Sequence, residues 1–429
     1  MLSSMSPNVF ERYFSRNSSP VVTDFPANLK VIAVIPVFDD EDIFDALHSL
    51  CRCKLSSFSA GVLIVVNYAE NCREEVKQRN RELADRIEEY CRCRKDCGLF
   101  FQLIRAFEVP ARLSGVGWAR KLGMDAAALY FYKENQADGI IASLDADTRV
   151  EENYLRALKD FFTLHPVAGV AIAYAHRLEE VGPDNRNAMI RYELYLRYYN
   201  LALRLIGHPY AYTCLGSAFA VRAVDYAAQG GMNKRQAGED FYFLQKLIAS
   251  GRFAHLTETR VFPSARISQR TPFGTGPAVL RISREGGKFL TYHPGAFHLL
   301  QSFFGLLDTL YRAAEEEVRC CMNRQPEPLR RFLESFDFPA MVAEVNGNIA
   351  SPALFRKRFF DRFNAFQVLK YLNFVHESYF EKMEIAKAVL AFFPFFRQEG
   401  IENEYDMLLR LRKMCNEENR WTGSGYSGD

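Results

Sequence analysis

The chain has 429 residues, 48% of them hydrophobic and 25% charged, with a formal net charge of +2. That is the balance of a globular protein long enough for two or three compact units, with no global electrostatic ground for binding nucleic acid or an anionic membrane. No apolar stretch reaches the roughly 20 residues needed to span a bilayer, and the nearest, residues 297–307, is interrupted by Gln301 and Ser302. The first residues lack the positive-then-apolar pattern of a signal peptide. Ten cysteines without an export signal read as reduced thiols, so a cytoplasmic protein, free or peripheral to a membrane, is expected. Six of them cluster early (Cys51, Cys53, Cys72, Cys91, Cys93 and Cys97), but the two Cys-Arg-Cys triplets lack the spacing of a structural zinc site.

Residues 1–29 are polar and broken by Ser-Pro and Phe-Pro, and read as an extension that wraps the surface or stays loose. Residues 30–37 (KVIAVIPV) form a continuous apolar run closed by Pro36, the pattern of a buried parallel strand. A helix is expected over 41–53, a second buried strand over 61–67, a charged helix over 70–94 and a third strand over 99–104. Residues 115–121 (GVGWARK) open the next helix, and 139–144 form a fourth strand. After a helix from Glu151 come a strand at 169–174 and a helix at 185–206, whose Tyr192, Tyr195, Tyr198 and Tyr199 read as packing groups. In the small-residue strand at 215–221, Gly216 and Ser217 would let a ligand approach the backbone. Gly230-Gly231 precedes Glu239-Asp240, which starts a helix running to 249. Residues 260–288 are locally basic and carry a Gly- and Pro-rich loop at 271–277, read as closing over phosphates. From about 294, helices rich in Phe, Leu and Ala are punctuated by Pro326, Pro328, Pro339, Pro352 and Pro394.

Strands alternating with helices mean βαβ units and a mainly parallel sheet flanked by helices. The expected organisation is an N-terminal extension (1–29), an α/β domain (30–290), a C-terminal helical region (291–418) and a loose tail (419–429). In such sheets ligands bind beyond the carboxyl ends of the strands. Ser143-Leu144-Asp145-Ala146-Asp147-Thr148 lies at one of those ends. On an extended chain alternate residues share a face, so Asp145 and Asp147 would point the same way. Like charges that close raise each other's pKa unless a cation or donors intervene. Mg²⁺ or Mn²⁺ is the natural remedy, favouring carboxylate oxygens and keeping positions open for phosphates. The alternative is a turn whose Asp residues cap the helix from Glu151.

Four signals follow one another: Pro36-Val37-Phe38-Asp39-Asp40-Glu41, Ala119-Arg120-Lys121-Leu122-Gly123, Asp145-Ala146-Asp147 and Gly238-Glu239-Asp240-Phe241. Over roughly residues 30–265 their order and spacing resemble the inverting family 2 glycosyltransferases of the GT-A fold. The resemblance implies a nucleotide-diphosphate sugar as donor, a divalent ion held by Asp147 with Asp145 nearer the ribose, and Pro36, Asp39 and Asn67 near the nucleoside. It further implies Arg120 and Lys121 at the diphosphate, Asp240 as general base for an acceptor hydroxyl, and Glu239 supporting that base or touching the acceptor. The acceptor would be a glycan, a lipid-linked sugar or a small molecule. Glu239-Asp240 alone would also serve as an ordinary acidic helix start.

The sequence departs from the family pattern in several places. Asp39 stands for the usual Asn, Asn67 for the usual Asp, and Val261-Phe262-Pro263-Ser264-Ala265-Arg266 lacks the metal-binding His of many relatives, His255 lying earlier. No Gln-x-x-Arg-Trp signature of processive synthases is present, which favours single addition. A sugar nucleotidyltransferase would want a basic phosphate loop after the first strand, where this chain has Asp39-Asp40-Glu41-Asp42. A retaining transferase of the same fold and a non-catalytic nucleotide-sugar-binding protein are the other readings.

Overall fold

The computed structural model describes residues 6–17, 21–55, 57–93, 98–233, 238–266 and 274–421. Cys97, the 271–273 part of the basic loop and the tail beyond 421 lie outside these residues. Contacts divide the chain into two compact units: Met1–Val181 with Cys214–Pro277 and Asn416–Asp429, and Gly182–Thr213 with Ala278–Cys415.

The first unit opens with helix α1 (Ser6–Arg16), strand β1 (Leu29–Val37), α2 (Ile43–Cys51), β2 (Ser59–Ala69), α3 (Glu74–Arg92) and β3 (Leu99–Val109). It continues with α4 (Val116–Lys133), β4 (Ile140–Ser143), β5 (Arg149–Val150), α5 (Tyr154–Leu164) and β6 (Gly169–Tyr174). Helix α6 (Pro183–Leu205) belongs to the second unit, and β7 (Phe219–Arg222), α7 (Ala223–Ala228), α8 (Glu239–Ala249) and β8 (Phe253–Phe262) complete the first. Among the described residues the sheet has eight strands in the order β3-β2-β1-β4-β7-β6-β8-β5. β1 pairs in parallel with β2 and β4, and β2 with β3, whereas β7 runs antiparallel to both β4 and β6. The continuous apolar runs of β1 and β2 are buried almost throughout, as strands covered on both faces must be. Helix α4 lies close on them: a Cβ at Gly123 would collide with Val34 of β1 and crowd Val65 of β2. The result is an α/β architecture, mainly parallel on the β1 side.

The N-terminal segment is not loose where it is described. α1 buries Phe10 and Tyr13, and Tyr13 joins a polar cluster inside the first unit. Asp125 of α4 accepts hydrogen bonds from the hydroxyls of Tyr13 and Tyr226, both at 2.6 Å, and pairs with Lys121 at 2.9 Å.

The second unit is helical. β9 (Leu290–Thr291) pairs antiparallel with β10 (Met383–Glu384), and helices run from α9 (Pro294–Phe304) onward. Its Phe residues form an internal core, with Phe297, Phe303, Phe338, Phe355 and Phe359 fully buried. Tyr198 of α6 packs edge-on against Phe297 and Phe392 and donates its hydroxyl to the Tyr292 carbonyl at 3.0 Å. Residues 182–213, read from sequence as part of the α/β domain, thus group with the helical unit. No helix among the described residues is long and apolar enough to cross a membrane.

Candidate functional site

From β1 the chain steps outward through β2 to β3, then returns with β4 on the other side of β1, so the strand order reverses between β1 and β4. Such a reversal opens a crevice at the carboxyl ends of the two strands. Pro36 is accommodated there by the geometry of the ladder. Leu144 N–H donates to the Val34 carbonyl at 3.1 Å, and alternate residues of a strand direct their polar groups to the same side. The N–H that Pro36 lacks would therefore face β4, whose pairing with β1 ends at Val34↔Ser143. The loops at residues 38–42 and 144–148 leave the sheet at this point.

Asp145 and Asp147 do not continue an extended strand. Thr148 N–H donates to the Asp145 carbonyl at 3.1 Å, closing a turn, so the shared-face geometry expected from alternation is replaced by two separate environments. Neither residue caps α5, whose N-cap position is Asn153. Asp145 Oδ1 accepts from Arg120 Nη2 at 2.5 Å, and Arg120 Nη1 makes a short ion pair with Glu239. The Arg120 side chain is 3% exposed and that of Glu239 2%, so this pair is a buried, fixed element. Next to it stands Gly216, whose carbonyl accepts from the Ser143 hydroxyl at 2.6 Å. A Cβ at Gly216 would lie 2.7 Å from Arg120 Nη2 and 3.1 Å from Asp240 Oδ2. The strand expected over 215–221 begins only at Phe219, leaving Gly216 in the preceding loop. Asp240 heads α8, its Oδ1 accepting from Phe241 N–H at 2.7 Å. Burial pushes its pKa above the ordinary carboxylate value; Arg120 and the Phe241 N–H oppose this, and Asp145 adds to it.

Asp147 faces a different set of charges. Its Oδ2 lies 3.4 Å from Arg266 Nη2, which also makes a short ion pair with Asp40, while Arg266 Nη1 pairs with Asp42 at 2.9 Å. Arg177 Nη2 donates to the Asp147 carbonyl at 3.1 Å, and its buried Nη1 makes no hydrogen bond among the described residues. The Asp147 side chain keeps 27% of its surface exposed, yet enough protein surrounds it for burial to be the first cause of a pKa pushed up to about 7. Asp145, Asp40 and Asp42 push in the same direction and Arg266 opposes them.

No family model matches this chain, and no curated protein matches it at a significant level. Among solved structures it is similar to S. aureus TarS 1–349 in complex with UDP-GlcNAc (13% identity, TM-score 0.39, covering 78% of this chain and 91% of that one). It is also similar to a mannosyltransferase from Pyrobaculum calidifontis in complex with GDP-Man and Mn²⁺ (13% identity, TM-score 0.33, covering 96% and 94%). A third likeness is to GalNAc-T7 with UDP, GalNAc and Mn²⁺ (12% identity, TM-score 0.35, covering 73% and 57%).

The residues singled out from sequence are only partly brought together. Arg120, Asp145, Glu239 and Asp240 form one connected group through Arg120 and Gly216, while Asp147 makes its side-chain ion pair with Arg266. Asp39, at φ 48°, has its carboxylate forked by Arg79 of α3 at 2.6 and 3.0 Å. Asn67 is 3% exposed and its amide reaches the Gly115 carbonyl at 3.5 Å, tying β2 to the start of α4. Lys121 is directed away from the crevice, into the Tyr13–Asp125 cluster, donating to Tyr13 Oη at 2.8 Å. His255 lies within β8 in register with Ala171. Asp40, Asp42, Arg177 and Arg266 were not singled out as site residues. The acidic run directly after β1 was the available signal, because a buried acid at a strand end needs a cationic partner.

Proposed function

We propose that the chain transfers a sugar from a nucleotide-diphosphate donor to an acceptor hydroxyl with the aid of Mn²⁺ or Mg²⁺, as an inverting transferase of the family 2, GT-A type. The observation that carries this reading is the charge inventory of the β1–β4 crevice. Among the described residues, Asp40, Asp42, Asp145, Asp147, Glu239 and Asp240 are set against the guanidinia of Arg120, Arg177 and Arg266. Such an excess of carboxylates repels a diphosphate unless a cation enters with it. Nucleotidyl transfer would in addition want a basic phosphate loop directly after β1, where this chain has Asp39-Asp40-Glu41-Asp42.

The donor set fits a divalent ion of the hard kind. Asp147 offers a partly exposed carboxylate whose proton is held up to about 7 by burial and neighbouring acids, and a cation relieves that cost. No group of three or more His, Cys, Asp or Glu side chains among the described residues is placed to hold a metal unaided. An ion that takes one or two carboxylates and completes its shell from phosphate oxygens and water would not need such a group. Asp147 would be the ligand, with Asp145 beside it. When bound, the ion would supply Lewis-acid stabilisation of the departing diphosphate.

The remaining chemistry belongs to the chain's own residues. Arg120, locked between Asp145 and Glu239, holds both carboxylates in fixed positions, so this wall of the crevice needs no reorganisation. Glu239 is committed to Arg120 and acts as a positioning residue. Asp240 takes the proton of the acceptor hydroxyl, its raised pKa bringing it nearer the operating pH. A thermal-shift panel of nucleotide sugars with each ion tests the reading, since ligands of the folded state raise its stability. UDP-GlcNAc and GDP-Man belong on the panel. At least one donor is expected to raise the melting temperature only when the ion is present, and a panel without any ion-dependent shift overturns the proposal.

A further inference from the structure

Arg266 follows the end of β8 and joins three carboxylates from two loops. Its ties are unequal. The contact with Asp42, at 2.9 Å, has the length of a charge-assisted hydrogen bond and the one with Asp40 is a short ion pair, whereas the 3.4 Å to Asp147 is at the outer edge of hydrogen bonding. Asp40 is itself anchored, 7% exposed and with Oδ1 accepting from Asp42 N–H at 3.2 Å. Arg266 is thus fixed on the loop after β1 and leans on Asp147 by its weakest contact. That contact sets a cation beside the carboxylate the donor-site reading gives to the metal.

Resting on that reading, we propose that Arg266 is a built-in competitor of the divalent ion. It supplies the positive charge at Asp147 before ligands enter and yields Asp147 to the ion. It stays anchored on Asp40 and Asp42, with a guanidinium edge available to the donor diphosphate. Two consequences follow from electrostatics. An ion arriving alone must overcome a cation already in place, so its affinity is reduced. A diphosphate arriving with it gives the released edge a new partner, so ion and donor favour each other's binding. Arg177 does not replace Arg266 in this role, because it holds the main-chain carbonyl of Asp147.

The test is a calorimetric titration of Mn²⁺ into the full chain, with and without saturating UDP or GDP, checked by the free-Mn²⁺ electron paramagnetic resonance signal. Arg266→Ala is expected to bind Mn²⁺ alone about tenfold or more tighter than the parent and to show a smaller coupling to the nucleotide than the parent, the part left being that of direct phosphate coordination to the ion, with couplings in the roughly 5–150-fold range usual for such pairs. Arg266→Lys, which keeps the charge, is expected to stay within about threefold of the parent. Should Arg266→Ala not fold, Arg266→Gln is read by the same criterion. If the Arg266 variants bind Mn²⁺ no tighter than the parent while Asp147→Ala abolishes binding, the competitor role falls and the donor-site reading stands. If none of the proteins binds Mn²⁺, with or without nucleotide, both fall together.

Discussion

A single methyl group at Gly216 tests the geometry of the crevice. A Cβ there stands 2.7 Å from Arg120 Nη2, and ordinary contact begins at 3.4 Å, so the guanidinium must retreat by about 0.7 Å. Arg120 has little room to do so, because it is 3% exposed, paired through Nη1 with Glu239 and held 2.5 Å from Asp145 through Nη2. Overpacking costs about 1–3 kcal/mol, and lengthening a charge-assisted hydrogen bond takes away part of its roughly 1.5–3 kcal/mol. Replacing a glycine returns about 0.4–1 kcal/mol through the unfolded state. The balance is a destabilisation of about 1–3 kcal/mol, a drop of about 2–10 °C in melting temperature for a unit of this size. Because Asp240 Oδ2 is 3.1 Å from the same Cβ, Gly216→Ala also disturbs the proposed base. Displacements approaching 1 Å in a catalytic group cost on the order of 100-fold in rate. Differential scanning fluorimetry and kcat/KM with the donor found by the panel give both readouts. A variant within 1 °C of about zero shift and within about twofold of the parent rate would refute the packing of Arg120 and Asp240 against this glycine.

Asp240→Asn should lower kcat by about 10²–10⁴ while nucleotide-sugar affinity by calorimetry stays within a fewfold, and an unchanged kcat removes Asp240 from the base role. As a base it acts deprotonated, and burial raises its pKa, so the acidic limb of the kcat/KM profile should lie above the ordinary aspartate value of 3.8 and activity should rise with pH through it. A limb at the ordinary value speaks against the assignment. Asp147→Ala should erase the Mn²⁺-dependent part of any nucleotide-induced thermal shift; an equal shift with and without ion in both proteins counts against the metal reading. In the second unit, His208 Nε2 donates to the Phe363 carbonyl at 3.1 Å and Nδ1 accepts from Tyr210 N–H at 3.3 Å, a pattern that keeps the ring neutral. Burial lowers its pKa from 6.5 to about 4. The folded state therefore binds fewer protons, the stabilisation is complete above pH 6.5, and about 3 kcal/mol is lost as pH falls from 6.5 to about 4. Urea titrations across that range should show the slope in the parent and not in His208→Gln.

The parts of the fold that were legible in the sequence are those governed by local pattern. β1, β2, β3, β4 and β6 follow from apolar runs bounded by turn residues, and helix α8 starts at the acidic pair that marks it. What escaped was set by single long-range contacts. Residues 183–205 have the same helical pattern whichever body they join, so the adjacency of α6 to the second unit was invisible. α1 carries Phe10, Tyr13 and Phe14 on one helical face, a short amphipathic signal hidden among Ser and Pro. Lys121 was grouped with Arg120 because they are neighbours in sequence. Consecutive helical residues do not face one another, however, and Asp125 at i+4 was the partner that the pattern offered. The Asp145–Asp147 pair was placed rightly at a strand end but wrongly as extended chain. One backbone hydrogen bond, from Thr148 to Asp145, decides between strand and turn, and no side-chain pattern records it.

That turn has a chemical consequence, because it gives each carboxylate of the pair its own cation. Asp145 faces Arg120, which is buried, shared with Glu239 and wedged against Gly216, and so cannot leave without breaking several contacts at once. Asp147 faces Arg266, whose 3.4 Å contact is the longest of the three it makes and the cheapest to break. The two acids still repel each other across the turn, Asp145 being one of the charges that raise the Asp147 pKa, but each is paired with its own arginine. Separated by the turn, one acid holds a permanent charge in position and the other is left with a replaceable one. The proposed donor site would use both properties: a fixed wall beside the crevice, and a carboxylate that can exchange its partner as ion and nucleotide come and go. On the proposed reading, Asp-Ala-Asp would act as two half-sites joined by a turn rather than as a single chelate.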